Sequence, residues 1–306
     1  MTELWMGLAI ALFTVLATGF VAICGVTLKQ LWELRRATTQ LEDRLERLPS
    51  AAMEGQSYLY LTALTRDSKF WSRMAIRRRE KTQLARAVSE SYIEDGMKVI
   101  LDSGTTVDQV PSMLRQLGKR ADIYTNNLLA AISAVPTEET VHCHLLPGLV
   151  DPIYGATYEK AQVSTLLKAF VPDRIVLAAR ALSYEFGPMV GVDDQSNCDF
   201  KEFLVRLALD SAARTSLILV VDWSKLIVEY GRHSEKNVMP VLDKATWRTV
   251  RAQSHFSLLT VAPPDPESVD SEHELAIARE SQQAIRRFSK ADRAGNEMKV
   301  DVVRCP

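Results

Sequence analysis

Basic residues are not in excess in this chain. With 37 Lys and Arg against 38 Asp and Glu, the formal net charge is -1, so composition supplies none of the broad positive field that nucleic acid binding draws on. The four cysteines, Cys24, Cys143, Cys198 and Cys305, stand far apart with no Cys-x-x-Cys pair. That pattern gives neither a zinc knuckle nor a disulfide framework and fits reduced thiols in a cytosolic compartment. Also missing are a Gly-x-Ser-x-Gly elbow, a Walker loop and a His-Glu-x-x-His pair, which removes the usual signatures of acyl transfer, nucleotide hydrolysis and zinc proteolysis. His142 and His144 flank Cys143, but without a second cluster at ligand spacing they read as ordinary strand alternation, and no metal or cofactor is expected. What remains is 306 residues at 47% hydrophobic and 25% charged, enough to bury one sizeable core or two small ones.

Charge is absent altogether from Leu4 to Leu28. A helix of that length reaches roughly 37 Å, enough to cross the hydrocarbon core with some tilt. The competing reading, a cleaved signal peptide, requires a basic leading region, whereas only Glu3 precedes this segment. Residues 1–28 are therefore read as a transmembrane helix. Trp5 and Trp32 fall near its ends, and Lys29, Arg35 and Arg36 come after it, which places the N-terminus outside and the remainder in the cytoplasm, at the inner (plasma) membrane. Leu31, Leu34, Thr38, Leu41, Leu45 and Leu48 then recur at spacings of three and four until Pro49. Residues 29–49 read as a coiled-coil stalk that makes the protein a homo-oligomer, the alternative being one amphipathic helix resting on the next domain. Residues 50–72 read as a linker.

From residue 73 to 306 strands and helices alternate. Helical patterns fall at 72–94, 107–117, 157–169, 199–214 and 272–288; apolar strand-like runs fall at 98–101, 122–124, 140–146, 174–179, 216–221 and 256–261. The fold class expected is α/β, with a largely parallel sheet flanked by helices. Within it, Asp102-Ser103-Gly104-Thr105-Thr106 closes an apolar strand and opens a helix. A small, hydroxyl-rich turn of this kind can cradle a phosphate through backbone N–H groups and hydroxyls, although the same residues also make an ordinary turn and helix cap. Asp222 ends another apolar strand, with Lys225 three residues on. Each aspartate can cap a helix or meet a ligand, and Lys225 can pair with Asp222 or neutralise a phosphate.

Arg78-Arg79-Glu80-Lys81, Asp102 to Thr106, Tyr124-Thr125-Asn126-Asn127, Asp173-Arg174-Ile175-Val176, Gly187 and Asp222-Trp223-Ser224-Lys225 resemble, in order and spacing, the ligand-sensing domain of the DeoR family of transcription factors. The resemblance runs over residues 73–306. It implies an isomerase and CoA transferase-like sensor fold and a phosphorylated small-molecule ligand, a sugar phosphate or nucleotide-like metabolite. It further implies that Asp102, Ser103, Gly104, Thr105 and Thr106 hold phosphate, that Thr125 and Asn126 contact the ligand, and that Lys225 supplies positive charge. The family's Glu and Lys one helical turn apart can be laid on Glu202 and Arg206, or on positions slipped by one residue. Its Gly-Gly pair after the third strand is replaced by Leu146-Pro147-Gly148, which reshapes that wall of the pocket and leaves Gly148 as a candidate contact there.

Where family members carry a winged helix-turn-helix, this chain has the membrane segment and stalk, which argues against direct nucleic acid binding. Expected instead is a single-pass membrane protein that senses its ligand in the cytoplasm and signals at the membrane, an architecture that also suits a defence-system effector. Two rivals stand beside it: a sugar-phosphate-processing enzyme, for which Glu185 is the one acid near the expected position, and a membrane scaffold that has lost its ligand. No residue is assigned a catalytic role.

Overall fold

The computed structural model describes residues 76–133, 140–151, 154–211, 214–228, 237–269, 271–290 and 298–304. All of them belong to the unit Glu54–Pro306. The segments read as membrane helix, stalk and linker lie outside the described residues. Among the described residues no helix is long and apolar enough to cross a membrane.

Chain order is α1 (Arg78–Ser91), β1 (Met97–Leu101), α2 (Val110–Gln116), β2 (Ala121–Thr125), α3 (Leu128–Ser133), β3 (Val141–Leu145), β4 (Leu149–Asp151), β5 (Ala156–Tyr158), α4 (Lys160–Leu167), β6 (Arg174–Ala178), β7 (Ala181–Ser183), β8 (Gly187–Gly191), α5 (Gln195–Asp210), β9 (Ser216–Val220), β10 (Leu226–Ile227), β11 (Val238–Pro240), α6 (Lys244–Arg251), β12 (Phe256–Val261), α7 (Glu272–Phe288) and β13 (Lys299–Val303). Seven strands form one sheet in the order β13-β12-β9-β6-β1-β2-β3, and every pairing within it is parallel.

The central strands are apolar at nearly every position because both faces are covered. In β6, Ile175 and Leu177 join one hydrophobic cluster while Val176 and Ala178 join the other; in β9, Leu217 and Leu219 divide from Ile218 and Val220 in the same way. Helices α4, α5 and α6 pack on the first face through Val163, Phe200, Leu204 and Trp247. The second face is covered by α1 and α2 through Leu84, Val88, Val110 and Leu114. Helix starts follow local chemistry: Asp194, Asp243 and Ser271 each accept a backbone N–H of the first turn of α5, α6 and α7.

The structure refines several expected boundaries. The helix read at 157–169 begins only at Lys160, because Thr157 and Tyr158 pair with Leu149 and Val150 in the β4–β5 hairpin. The helix read at 199–214 begins at Gln195, one residue after its Asp194 cap. Outside the expectation altogether are the edge strand β13, helix α6 and a second sheet of four short strands, β10-β7-β8-β11. That second sheet is rooted in Gly187, whose φ of +78° is left-handed and whose missing side chain makes room for Trp247: an added Cβ would lie 2.7 Å from the indole.

Candidate functional site

The sheet order places a crevice. From β1 the chain moves outward through β2 and β3, whereas from β6 it moves the other way through β9, β12 and β13. The connections leaving neighbours β1 and β6 thus run in opposite directions at the carboxyl ends of the strands, the position where open parallel sheets hold ligands. A cleft of about 540 Å³ lies there, walled by the turns after β1 (Ser103 to Thr106), β6 (Ala178 to Arg180) and β9 (Asp222, Ser224, Lys225), with Gly191 and Asp194 from the second sheet and the start of α5. Gly104 is what lets the first two turns meet: a Cβ there would come within 2.7 Å of the Ala178 Cβ. The Ser103 hydroxyl lies 3.3 Å from the Tyr158 hydroxyl. The Thr106 hydroxyl, on a side chain 1% exposed, has no partner among the described residues. A buried hydroxyl without a partner costs free energy that water or a bound oxyanion can recover.

Two ion pairs stand at the cleft. Lys201, 2% exposed, reaches from α5 to Asp102, which is fully buried behind the Ser103 to Thr106 turn. Burial pushes the Asp102 carboxyl up and Lys201 opposes that push. Asp102 also accepts from the Ala178 N–H at 3.3 Å, so one carboxylate ties β1, β6 and α5 together, while its other oxygen has no partner among the described residues. On the far wall Lys225 sits 3.2 Å from Asp222. Burial works to raise Asp222, but Lys225, the Ser224 hydroxyl and Arg77 outweigh it and hold the carboxyl below its ordinary value. Asp194 is pushed up by burial, against Asn197 and Lys201. Cations and carboxylates together around one crevice suit a ligand that is anionic at one end and rich in hydroxyls elsewhere.

Of the residues singled out from sequence, Ser103, Gly104, Thr105, Thr106, Asp222 and Lys225 line this one cleft, and Asp102 lies directly behind it. The others are placed elsewhere. Thr125 is buried at the end of β2, donating to the Leu101 carbonyl at 2.7 Å and accepting from the Asn127 N–H at 3.0 Å. Asn126 holds the β5 strand by accepting from the Thr157 N–H at 2.8 Å; both polar atoms of its buried side chain lack partners among the described residues. Gly148 serves a close approach: its φ is +150° and an added Cβ would lie 2.6 Å from the Tyr158 backbone. Glu202 and Arg206 lie on the solvent side of α5, paired with each other at 2.8 Å. The cleft takes Lys201, one residue before Glu202, because that position falls on the buried stripe with Asn197, Leu204, Val205 and Ala208. Glu185 is exposed in the turn between β7 and β8, 2.6 Å from Lys244, and lies outside the cleft.

Lys81, Arg180, Asn197 and Lys201 line the cleft without having been singled out as ligand contacts. For the two lysines a signal was there. Lys81 shares a helical stripe with Leu84, Ala85 and Val88, as Lys201 does with Leu204 and Val205, and a lysine on an apolar stripe needs a buried partner. The neighbouring run Arg77-Arg78-Arg79 makes Lys81 look like part of a solvated basic face, yet it is 2% exposed. On β3, Cys143 packs into one core while His144 stacks on Tyr124 at 4.7 Å between ring centres, and His142 faces Asp122 at 3.0 Å.

The sequence model of the DeoR C terminal sensor domain matches residues 76–231. The chain belongs to this family. The match takes in the cradle, the turn after β6 and the Asp222 to Lys225 turn, so every wall of the cleft lies within the DeoR-type sensor domain. No curated protein sequence matches the chain. Among solved structures it is similar to eIF2B beta from Chaetomium thermophilum, with 13% identity and a TM-score of 0.36 over 54% of this chain and 47% of that one. It is also similar to ribose 5-phosphate isomerase A from Neisseria gonorrhoeae, with 12% identity and a TM-score of 0.31 over 49% of this chain and 54% of that one. The chain spans about half the length of these solved proteins.

Proposed function

We propose that this DeoR-type sensor domain binds a phosphorylated sugar or nucleotide-like metabolite in the cleft between the β1 and β6 ends, with the phosphate on Ser103 to Thr106. The observation that carries this reading is the meeting of a small-residue turn, the unpartnered Thr106 hydroxyl and the Lys201 and Lys225 ammonium groups around one crevice at the sheet's switch point. The carboxylates of Asp194 at the start of α5 and Asp222 in the turn after β9 also line the cleft, which supports contacts to a ligand's hydroxyls. Glu185, the acid on which an enzymatic reading depends, is outside the cleft, so binding is the better supported role.

The uncharged segment from Leu4 to Leu28, with Lys29, Arg35 and Arg36 after it, supports attachment to the inner membrane with the sensor in the cytoplasm. The leucine seam from Leu31 to Leu48 supports self-association there. On this reading ligand occupancy shifts the arrangement of tethered sensors and so signals at the membrane, as a defence effector would require. Calorimetry with inorganic phosphate and D-ribose 5-phosphate tests the site. Gly104→Asp, which adds bulk against Ala178 and a like charge, is expected to abolish binding, and Lys225→Ala to weaken it by about 1.5 to 3 kcal/mol. Folded variants that bind as the parent does would reduce Asp102 to Thr106 to a helix cap.

A further inference from the structure

The chain runs into the sensor fold through Ile76 and Arg77, and this approach is built into the wall of the cleft. Ile76, 58% exposed, lines the cleft, as does Lys81 in the first turn of α1. Arg77, between them, has φ 53° and ψ 44°, a left-handed conformation that side chains with a Cβ avoid, and its side chain does not cap the helix. Three contacts hold it there. Its guanidinium carbon lies 3.8 Å from the centre of the Trp223 ring. Nη2 is 3.0 Å from Glu274 on α7, and Nη1 is 3.4 Å from Glu80.

Trp223 is itself fixed, 1% exposed, with its carbonyl accepting from the Ser281 hydroxyl at 2.6 Å. Its neighbours Asp222, Ser224 and Lys225 line the cleft. One short turn therefore carries cleft residues and, through its indole, the anchor of the incoming chain. Arg77 also adds to the field that keeps Asp222 ionised.

We propose that Arg77 couples occupancy of the cleft to the chain that precedes the sensor domain: an anion that draws Lys225 away from Asp222 leaves Arg77 to balance that carboxylate, tightening its hold on the Asp222–Trp223 turn. This deepens the reading of the cleft as a phosphate site and rests on it. A ligand can shift the approach only as far as it prefers the tightened arrangement, and the preference is reciprocal: whatever loosens Arg77 also changes ligand affinity.

Hydrogen exchange read by mass spectrometry on the full chain, in inorganic phosphate against sodium chloride of equal ionic strength, tests the coupling. In the parent protein phosphate is expected to slow exchange both in the cradle peptide (101–106) and, by about tenfold, in the approach peptide (76–82). At saturating phosphate Arg77→Ala is expected to keep the cradle protected and lose the protection at 76–82. Glu274→Gln, which weakens an anchor that does not itself line the cleft, at a half-exposed site, is expected to lose part of it. A protected cradle with an approach peptide that ignores phosphate in the parent, or that is fully protected in both variants, would overturn the role of Arg77 and leave the phosphate site standing. A cradle that phosphate does not protect would overturn both.

Discussion

Removing the Lys201 ammonium while keeping the Asp102 carboxylate tests how the cleft is held together. Lys201→Met preserves most of the side chain's volume and its fit on the buried stripe of α5, but strands a fully buried carboxylate. Breaking a buried pair from one side costs about 3 to 5 kcal/mol, whereas replacing both members is often close to neutral. For a domain of this size that corresponds to a fall in Tm on the order of 10 °C. The double variant Asp102→Asn with Lys201→Met, in which Asn still accepts from the Ala178 N–H, should recover most of the loss. The penalty must also depend on pH. Burial already raises the Asp102 carboxyl in the parent against the pull of Lys201, and without Lys201 the folded value rises further. A raised folded value gives stability that is present below the unfolded carboxyl range and lost as pH rises, so the gap between parent and variant should be narrow near pH 4 and widen towards pH 8. Urea unfolding followed by near-UV circular dichroism at several pH values measures it. A single variant as stable as the parent at pH 8, or a double variant no better than the single, would show that Asp102 and Lys201 are not a mutually dependent pair.

Three further outcomes can be measured. Gly187→Ala places a Cβ 2.7 Å from a fully buried indole at φ +78° and should destabilise the domain by about 2 to 4 kcal/mol in the same unfolding assay, since neither backbone nor ring can yield cheaply. Asp108 is raised by burial, against Lys81, to about 7; because its folded value is raised, its contribution to stability falls as pH climbs from the ordinary carboxyl range to about 7. Asp108→Asn should flatten the stability slope within that window, and an unchanged slope would mean that Asp108 titrates normally. Protease added to spheroplasts should leave residues 76–306 uncut if the basic residues after Leu28 set the orientation, and rapid cleavage there would reverse the topology.

Legibility in the sequence depends on which residues obey a single rule. Strands β6, β9 and β12 are short apolar runs bounded by polar residues, and a strand buried on both faces leaves that mark because every side chain meets a core. The turn after β1 was legible for a related reason: Asp102 is followed by four small or hydroxyl-bearing residues, Ser103 to Thr106, where an apolar strand stops. The second sheet was not, because strands of two to five residues are too short to show alternation and are held by tertiary partners such as Trp247 beneath Gly187. The family's helical motif, laid on Glu202 and Arg206, went to residues whose spacing is equally that of a solvent-side pair four apart. Spacing alone cannot say which side of a helix faces the site; the neighbours can. Around Lys201 the positions at minus four, plus three and plus four are Asn197, Leu204 and Val205, all buried, and a cation in that company has to find a carboxylate. Lys81 obeys the same logic on α1. Two lysines on apolar stripes were therefore a better guide to the cleft than the exposed charged pair, because the cost of burying an ammonium group without a partner restricts where such a residue can be tolerated. If that cost is what keeps Lys201 against Asp102, the arrangement persists without ligand, and the cleft is preorganised rather than assembled on binding.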